Sequence, residues 1–168
     1  MGTDIHQYNL IYDAGTYTLT GESLSFTEWS YSCSKIPELV PDRNYMIFGV
    51  LAGVRAADFE IFKDRNEGYP AGLSQAELSL IETDRHSPVW YYCPKLLEQL
   101  KETAKKMKRR MAALRRRDAF FNGSWEEAEL EGMIDTVNEI ISKLETARSG
   151  FTSMESWEKS IIIFNFDS

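Results

Sequence analysis

The chain has 168 residues, 43% of them hydrophobic, with nine Phe, eight Tyr and four Trp, so it can build one ordinary core and wholesale disorder is excluded. Its net charge of −7 is unevenly placed: residues 101–117 hold nine basic side chains against one acid, Glu102, and the remainder is strongly acidic. That balance disfavours general nucleic-acid binding, because an acidic surface repels the phosphate backbone.

Met1–His6 is polar, so no signal peptide is expected, and His6 stands where a myristoylation signal needs Ser or Thr. Ile5–Tyr12 reads as a strand with Asp4, His6, Tyr8, Leu10 and Tyr12 on one face. Asp13-Ala14-Gly15 marks a turn into a hairpin partner at Thr16–Thr20, and Leu24–Tyr31 is read as a third strand. Cys33 and Cys93 lack CxxC or His-rich spacing, which argues against a disulfide framework and a zinc site and favours reduced thiols in a cytoplasm.

Ile36–Pro41 is a Pro-bounded loop, after which Asp42 caps a helix from about Arg43 to Val54. Residues 63–74 read as a loop, with Gly72 a turn glycine. Ser74 and Glu77 form a capping-box pattern opening a short helix to Ile81. His86-Ser87-Pro88 breaks it, and Val89–Tyr92 is strand-like. Pro94 suits the first turn of a long basic helix, and Ser124 with Glu127 opens the next. Ile161–Asp167 is apolar on both faces, as a central strand would be.

The strongest pattern is a pair of seams at 3,4,3,4,3 spacing. One runs Leu97, Leu100, Ala104, Met107, Met111 and Leu114; the other runs Leu130, Met133, Val137, Ile140, Leu144 and Ala147. They predict two antiparallel helices, each roughly 30–35 Å long, packed as a coiled-coil-like hairpin over residues 94–148. Burying one Leu or Ile contributes about 1.5–3 kcal/mol against about 0–1 for an exposed ion pair, so the seam dominates. One bridging pair, Arg117 with Glu129, is predicted near the loop. Ile134 and Ile141 give the second helix a third apolar column, expected to meet the sheet; the first helix shows none.

Candidate chemistry is sparse. Asp4 and His6 share a strand face, and His86 and Asp167 join them if the first and last strands pair. A carboxylate beside an imidazole can orient it for proton transfer or metal binding, though a satisfied structural histidine is the simpler account of each. Arg43, Tyr45 and Arg55 flank the short apolar helix and could hold an anion or form structural ion pairs. Lys105, Lys106, Arg109 and Arg116 lie on the outer face of the basic helix. They form either a solvated surface or a docking face for an acidic or phosphate-bearing partner. No Walker loop, GxSxG, HExxH or GxGxxG occurs, and no metal site or cofactor is expected.

Several fragments resemble a family of small proteins encoded by tailed phages and bacterial genomes. They are the opening Met1-Gly2-Thr3-Asp4-Ile5-His6, the helix from Arg43-Asn44-Tyr45 to Ala52-Gly53-Val54-Arg55, the turn Ala71-Gly72-Leu73-Ser74, the pair His86-Ser87, and the end Phe164-Asn165-Phe166-Asp167-Ser168. Ser74 replaces the family's proline, and Ala71 stands where it has arginine, which weighs against an anion-binding turn. The resemblance implies a phage setting and a host cytoplasm, and no established activity.

The expectation is therefore one α+β domain over 1–168. A mostly antiparallel sheet pairs its first and last strands and carries helices on its faces, with the hairpin projecting or packed. The expected function is a phage-encoded, non-enzymatic binding protein engaging a host protein or a small anionic ligand. The hairpin could also join a second copy, and no membrane span is expected. The alternatives are a metal- or acid/base-dependent hydrolase built on Asp4, His6 and His86, and a nucleic-acid binder using the basic helix.

Overall fold

The first hairpin turns on two residues of positive φ, Ala14 at 49° and Gly15 at 91°, the pairing a tight turn between twisted strands requires. It joins β1 (Ile5–Asp13) to β2 (Thr16–Gly21) in the computed structural model, which describes residues 5–21, 36–40, 45–52, 65–81, 86–117 and 125–166. The elements that follow are α1 (Tyr45–Ala52), β3 (Asn66–Glu67), α2 (Gln75–Ile81) and β4 (His86–Tyr92). After these come α3 (Cys93–Arg117), α4 (Trp125–Ser149), α5 (Met154–Lys159) and β5 (Ile161–Phe166).

The five strands form one sheet in the order β2-β1-β5-β4-β3, antiparallel at every pairing. The expected union of first and last strands is present: Ile5 lies opposite Phe166 and Leu10 opposite Ile161. β5 is central and buried along its whole length, which is why its sequence is apolar on both faces.

Side-chain alternation divides this sheet into two faces. On one, Ile11, Val89, Tyr91, Ile162, Phe164 and Phe166 share a core with α1, α3 and α4. Phe48 meets Phe166 edge-on at 5.3 Å between ring centroids. Two buried polar side chains on this face, Gln7 and Asn9, hold the segment 36–40. Gln7 Nε2 donates to Pro37 O (3.0 Å) and its Oε1 accepts from Leu39 N–H (2.8 Å). Asn9 Nδ2 donates to Ile36 O (3.4 Å). These bonds satisfy groups that would otherwise be costly to bury. On the other face, Tyr8, Leu10, Ile81, Ile161 and Ile163 form a smaller cluster under α2. Asn165 Nδ2 donates to Ile81 O (2.6 Å) and fastens the end of α2 to β5.

α3 and α4 pack along the predicted seam, whose residues are all buried except the half-buried Leu114. Lys101–Glu145 (2.6 Å) and Arg115–Glu127 (2.7 Å) run in opposite sequence sense, so the helices are antiparallel. The pair near the loop is thus Arg115 with Glu127, not Arg117 with Glu129. Seam periodicity within each helix leaves this offset open.

Several expectations are corrected. α3 does carry a second buried face, formed by Cys93, Leu96, Gln99 and Thr103. Half of that face is polar, so apolar periodicity misses it. Beyond its seam, α4 meets α1 and segment 36–40, with Lys143 Nζ donating to Glu38 O at 3.2 Å, and its Ile134 and Ile141 join the core that the sheet residues line. β4 begins at His86, ahead of Pro88, with Ser87 at φ 51° inside a bulge, and β3 interrupts the loop expected at 63–74.

α5 has no counterpart among the predicted elements. Ser153 caps it, Trp157 anchors it in the core, and Ser156 and Ser160 bond to the backbone of Tyr12, stitching α5 to β1. The expected strand at Leu24–Tyr31 and the helix ends at 43–44 and 53–54 lie outside the described residues. Among the described residues no helix is long and apolar enough to cross a membrane.

Candidate functional site

The register places the candidate histidines at one end of the sheet. His6 lies opposite Asn165 and His86 opposite Phe166, on strands that flank β5. Sheet spacing puts β1 and β4 roughly 10 Å apart there, with β5 between them. His6 is half-buried, and Asn165 beside it is fully buried, with its Oδ1 unsatisfied among the described residues. Asp4 and Asp167 lie outside the described residues, as do Arg43 and Arg55; Tyr45 begins α1. Among the described residues no three His, Cys, Asp or Glu side chains gather as a metal-ligand set. Cys93 is buried at the start of α3, and burial pushes its thiol up to about 12, so it is no nucleophile.

Lys105, Lys106, Arg109 and Arg116 are all exposed on α3, away from the seam. Lys105, Arg109 and Arg116 recur at steps of four and seven, which aligns them in one stripe. α3 carries ten basic side chains against two acids, and α4 seven acids against two bases. The hairpin is therefore charge-polarised across its width. Lys101 and Arg115, which flank the seam, reach across to α4 acids, and the outer stripe faces solvent.

A third place was not anticipated. On the α2 face, a cleft of about 570 Å³ opens between the first hairpin, β4 and the turn before α2. It is larger than the groove beside Pro94 and Trp157 (about 300 Å³) and the one beside Pro37 and Lys143 (about 330 Å³). Among the described residues, Tyr17, Trp90 and Tyr92 supply its rings, Pro70 and Leu73 its apolar wall, and Glu77 its only charge. Gly72 at φ 92° lets the chain turn beside it, as the sequence suggests.

Each wall of the cleft is held. Trp90 and Tyr92 lie two apart on β4, hence on one face, and meet edge-on at 5.4 Å. The Tyr17 hydroxyl donates to Lys159 O (3.0 Å), and its ring meets Tyr12 at 5.2 Å. Partial burial first, and then the nearness of Tyr92, raise the Tyr17 hydroxyl above its ordinary range. The capping box is present as predicted: Glu77 accepts from Ser74 N–H (2.8 Å) and Oγ–H (2.9 Å), and Ser74 Oγ accepts from Glu77 N–H. The Ser74 backbone N–H holds the Glu77 carboxyl below its ordinary range, so the carboxylate stays ionised at neutral pH.

The cleft was missed because its walls come from three separate segments. Its one local signal is the spacing of Trp90 and Tyr92, two large rings on the same strand face. No protein-family model, curated protein or solved structure matches the chain.

Proposed function

We propose that this chain is a non-enzymatic binding protein that engages host machinery in a phage setting, through the outer face of α3 in its coiled-coil-like hairpin. One observation carries the reading: the apolar seam of α3 is occupied by α4, while Lys105, Arg109 and Arg116 stand in a row toward solvent. A basic stripe on an otherwise acidic protein steers an acidic surface or a phosphate-bearing signalling nucleotide toward one side of the molecule. The resemblance of Met1–His6 and the other blocks to phage-encoded proteins supplies the setting.

The test pairs the wild type with a triple reversal, Lys105→Glu, Arg109→Glu and Arg116→Glu. The wild type should retain an acidic host protein from lysate or bind a cyclic oligonucleotide in calorimetry, and the reversal should lose it. If wild type captures nothing in either assay, or the reversal binds equally well, the reading fails. Duplex DNA binding that weakens steeply with salt would install the nucleic-acid reading in its place.

The alternative reading is a hydrolase built on Asp4, His6 and His86; the register weighs against it, because His6 stands opposite Asn165 and His86 opposite Phe166, positions on opposite faces of the sheet. A hydrolase using these residues should turn over a phosphodiester or ester substrate with added divalent metal, and His6→Ala should abolish turnover. Equal rates with and without the protein would dismiss it.

A further inference from the structure

We propose that the cleft on the α2 face is a binding site for a quaternary-ammonium group, held between the rings of Tyr17, Trp90 and Tyr92 and the carboxylate of Glu77. The site is distinct from the α3 stripe, and the proposal does not depend on it.

The chemistry of the lining points to this ligand class. Three aromatic rings border one concavity, and Tyr17 and Tyr92 are 45% and 43% exposed, so their surfaces face the opening. A ring face is electrostatically negative and attracts a weakly hydrated cation, most strongly at Trp. The one charged side chain among the described lining residues is an acid, fixed by the Ser74 cap. An anion would meet Glu77 with no cation among the described lining residues to offset it. Lys159, beside this hairpin, is already committed. It pairs with Glu155 at 2.8 Å and lies 4.8 Å over the ring of Tyr12, on the flank of the cleft. The same hairpin thus uses a tyrosine face to hold an ammonium group of its own.

A purely apolar guest is the weaker match. It would leave the Glu77 carboxylate desolvated without a counter-charge, which is unfavourable. A proline-rich peptide would use the rings and leave the carboxylate idle. A methylated ammonium uses both features at once. At about 570 Å³ the cleft has room for such a head group with a short tail, whether on a free choline-like molecule or on a methylated lysine.

The experiment is a titration of the full chain, labelled with ¹⁵N, followed by the Trp90 indole N–H and the backbone amides of Tyr17 and Tyr92. The probes are tetramethylammonium, choline, a trimethyl-lysine peptide, and 3,3-dimethylbutanol as the uncharged isostere of choline. Tetramethylammonium and choline should shift these signals saturably, and the isostere should bind about tenfold or more weakly. Glu77→Gln keeps a side chain that serves a capping box, and Tyr92→Ala alters an exposed residue, so both should fold, as circular dichroism will show. Each should weaken choline binding about fivefold or more. Tighter binding of choline than of the peptide supports a free small molecule, and the reverse supports a methylated protein tail. The proposal is overturned if the isostere binds as well as choline or if both variants bind like wild type. It is also overturned if a proline-rich peptide moves these signals while tetramethylammonium moves none.

Discussion

Tyr91 and Tyr92 are neighbours on β4, but their rings meet opposite fates. Tyr91 is sealed beside Phe164 and donates its hydroxyl to Leu51 O, whereas Tyr92 is 43% exposed at the rim of a cleft. The difference follows from what each face of the sheet is given to pack against. One face receives α3 and α4, each 25 residues long, together with α1. Among the described residues the other receives the seven of α2 and a turn, and Tyr17 and Tyr92 stay exposed there. The closed face stabilises the fold, and the open face leaves aromatic surface available to a ligand.

The largest expected effect is on the closed face. Phe164→Ala removes a ring shared by β5 and the main core and should lower unfolding stability by about 3–5 kcal/mol in urea titrations. A loss under about 1 kcal/mol would show that this core repacks freely.

The closed face should also set the alkaline limit. Burial raises the Tyr91 hydroxyl far above its ordinary 10.0 and pushes the Cys93 thiol from 9.0 up to about 12. Both folded values lie above the unfolded ones, so the neutral forms favour the fold fully at low pH. That contribution is lost as pH rises past the unfolded values. Stability should hold to about pH 8 and fall from about pH 9 toward pH 12, and Cys93→Ala should flatten the first part of the fall. An unchanged slope would place the thiol in contact with water.

Effects on the open face should be smaller. Ser74→Ala removes the cap of α2 and should cost about 1 kcal/mol. Glu77 behaves oppositely to Tyr91: its folded value is depressed, so its contribution is present above the unfolded value and lost as pH falls through the folded one. Wild type should lose this increment on acidification below about pH 4.5, and Ser74→Ala should show less of it.

The smallest effect belongs to the hairpin's flank. Exchanging Arg115 and Glu127 should change stability by no more than about 1 kcal/mol, because the pair is surface-exposed on its arginine side and the seam fixes the helices. A loss of several kcal/mol would mean that charge, not the seam, sets their register.

The same contrast explains what the sequence reveals. Alternation exposes β1, an apolar run exposes β5, and heptad spacing exposes the seams of α3 and α4, because each pattern lies within one segment. Ser74 and Glu77 expose the start of α2 through local capping chemistry. α5 is six residues long with one buried ring, Trp157, too short for periodicity to register. The buried Gln99 and Thr103 escape because their burial depends on the elements α3 meets, not on their own polarity. The cleft escapes for the same reason: strand pairing and a turn bring Tyr17, Glu77 and Trp90 together across more than seventy residues of chain. Of the candidate site residues, the register joins His6 and His86 to β5, and the α3 stripe is exposed as expected.

The most direct measurement applies one substitution to two adjacent positions. Tyr91→Ala and Tyr92→Ala are compared by urea unfolding and by choline titration. Tyr91→Ala should lose about 3–5 kcal/mol of stability, while Tyr92→Ala should stay within about 0.5 kcal/mol of wild type and bind choline several-fold more weakly. Equal stability losses, or choline binding untouched by Tyr92→Ala, would contradict a sheet with one face that holds the fold and another that holds a ligand.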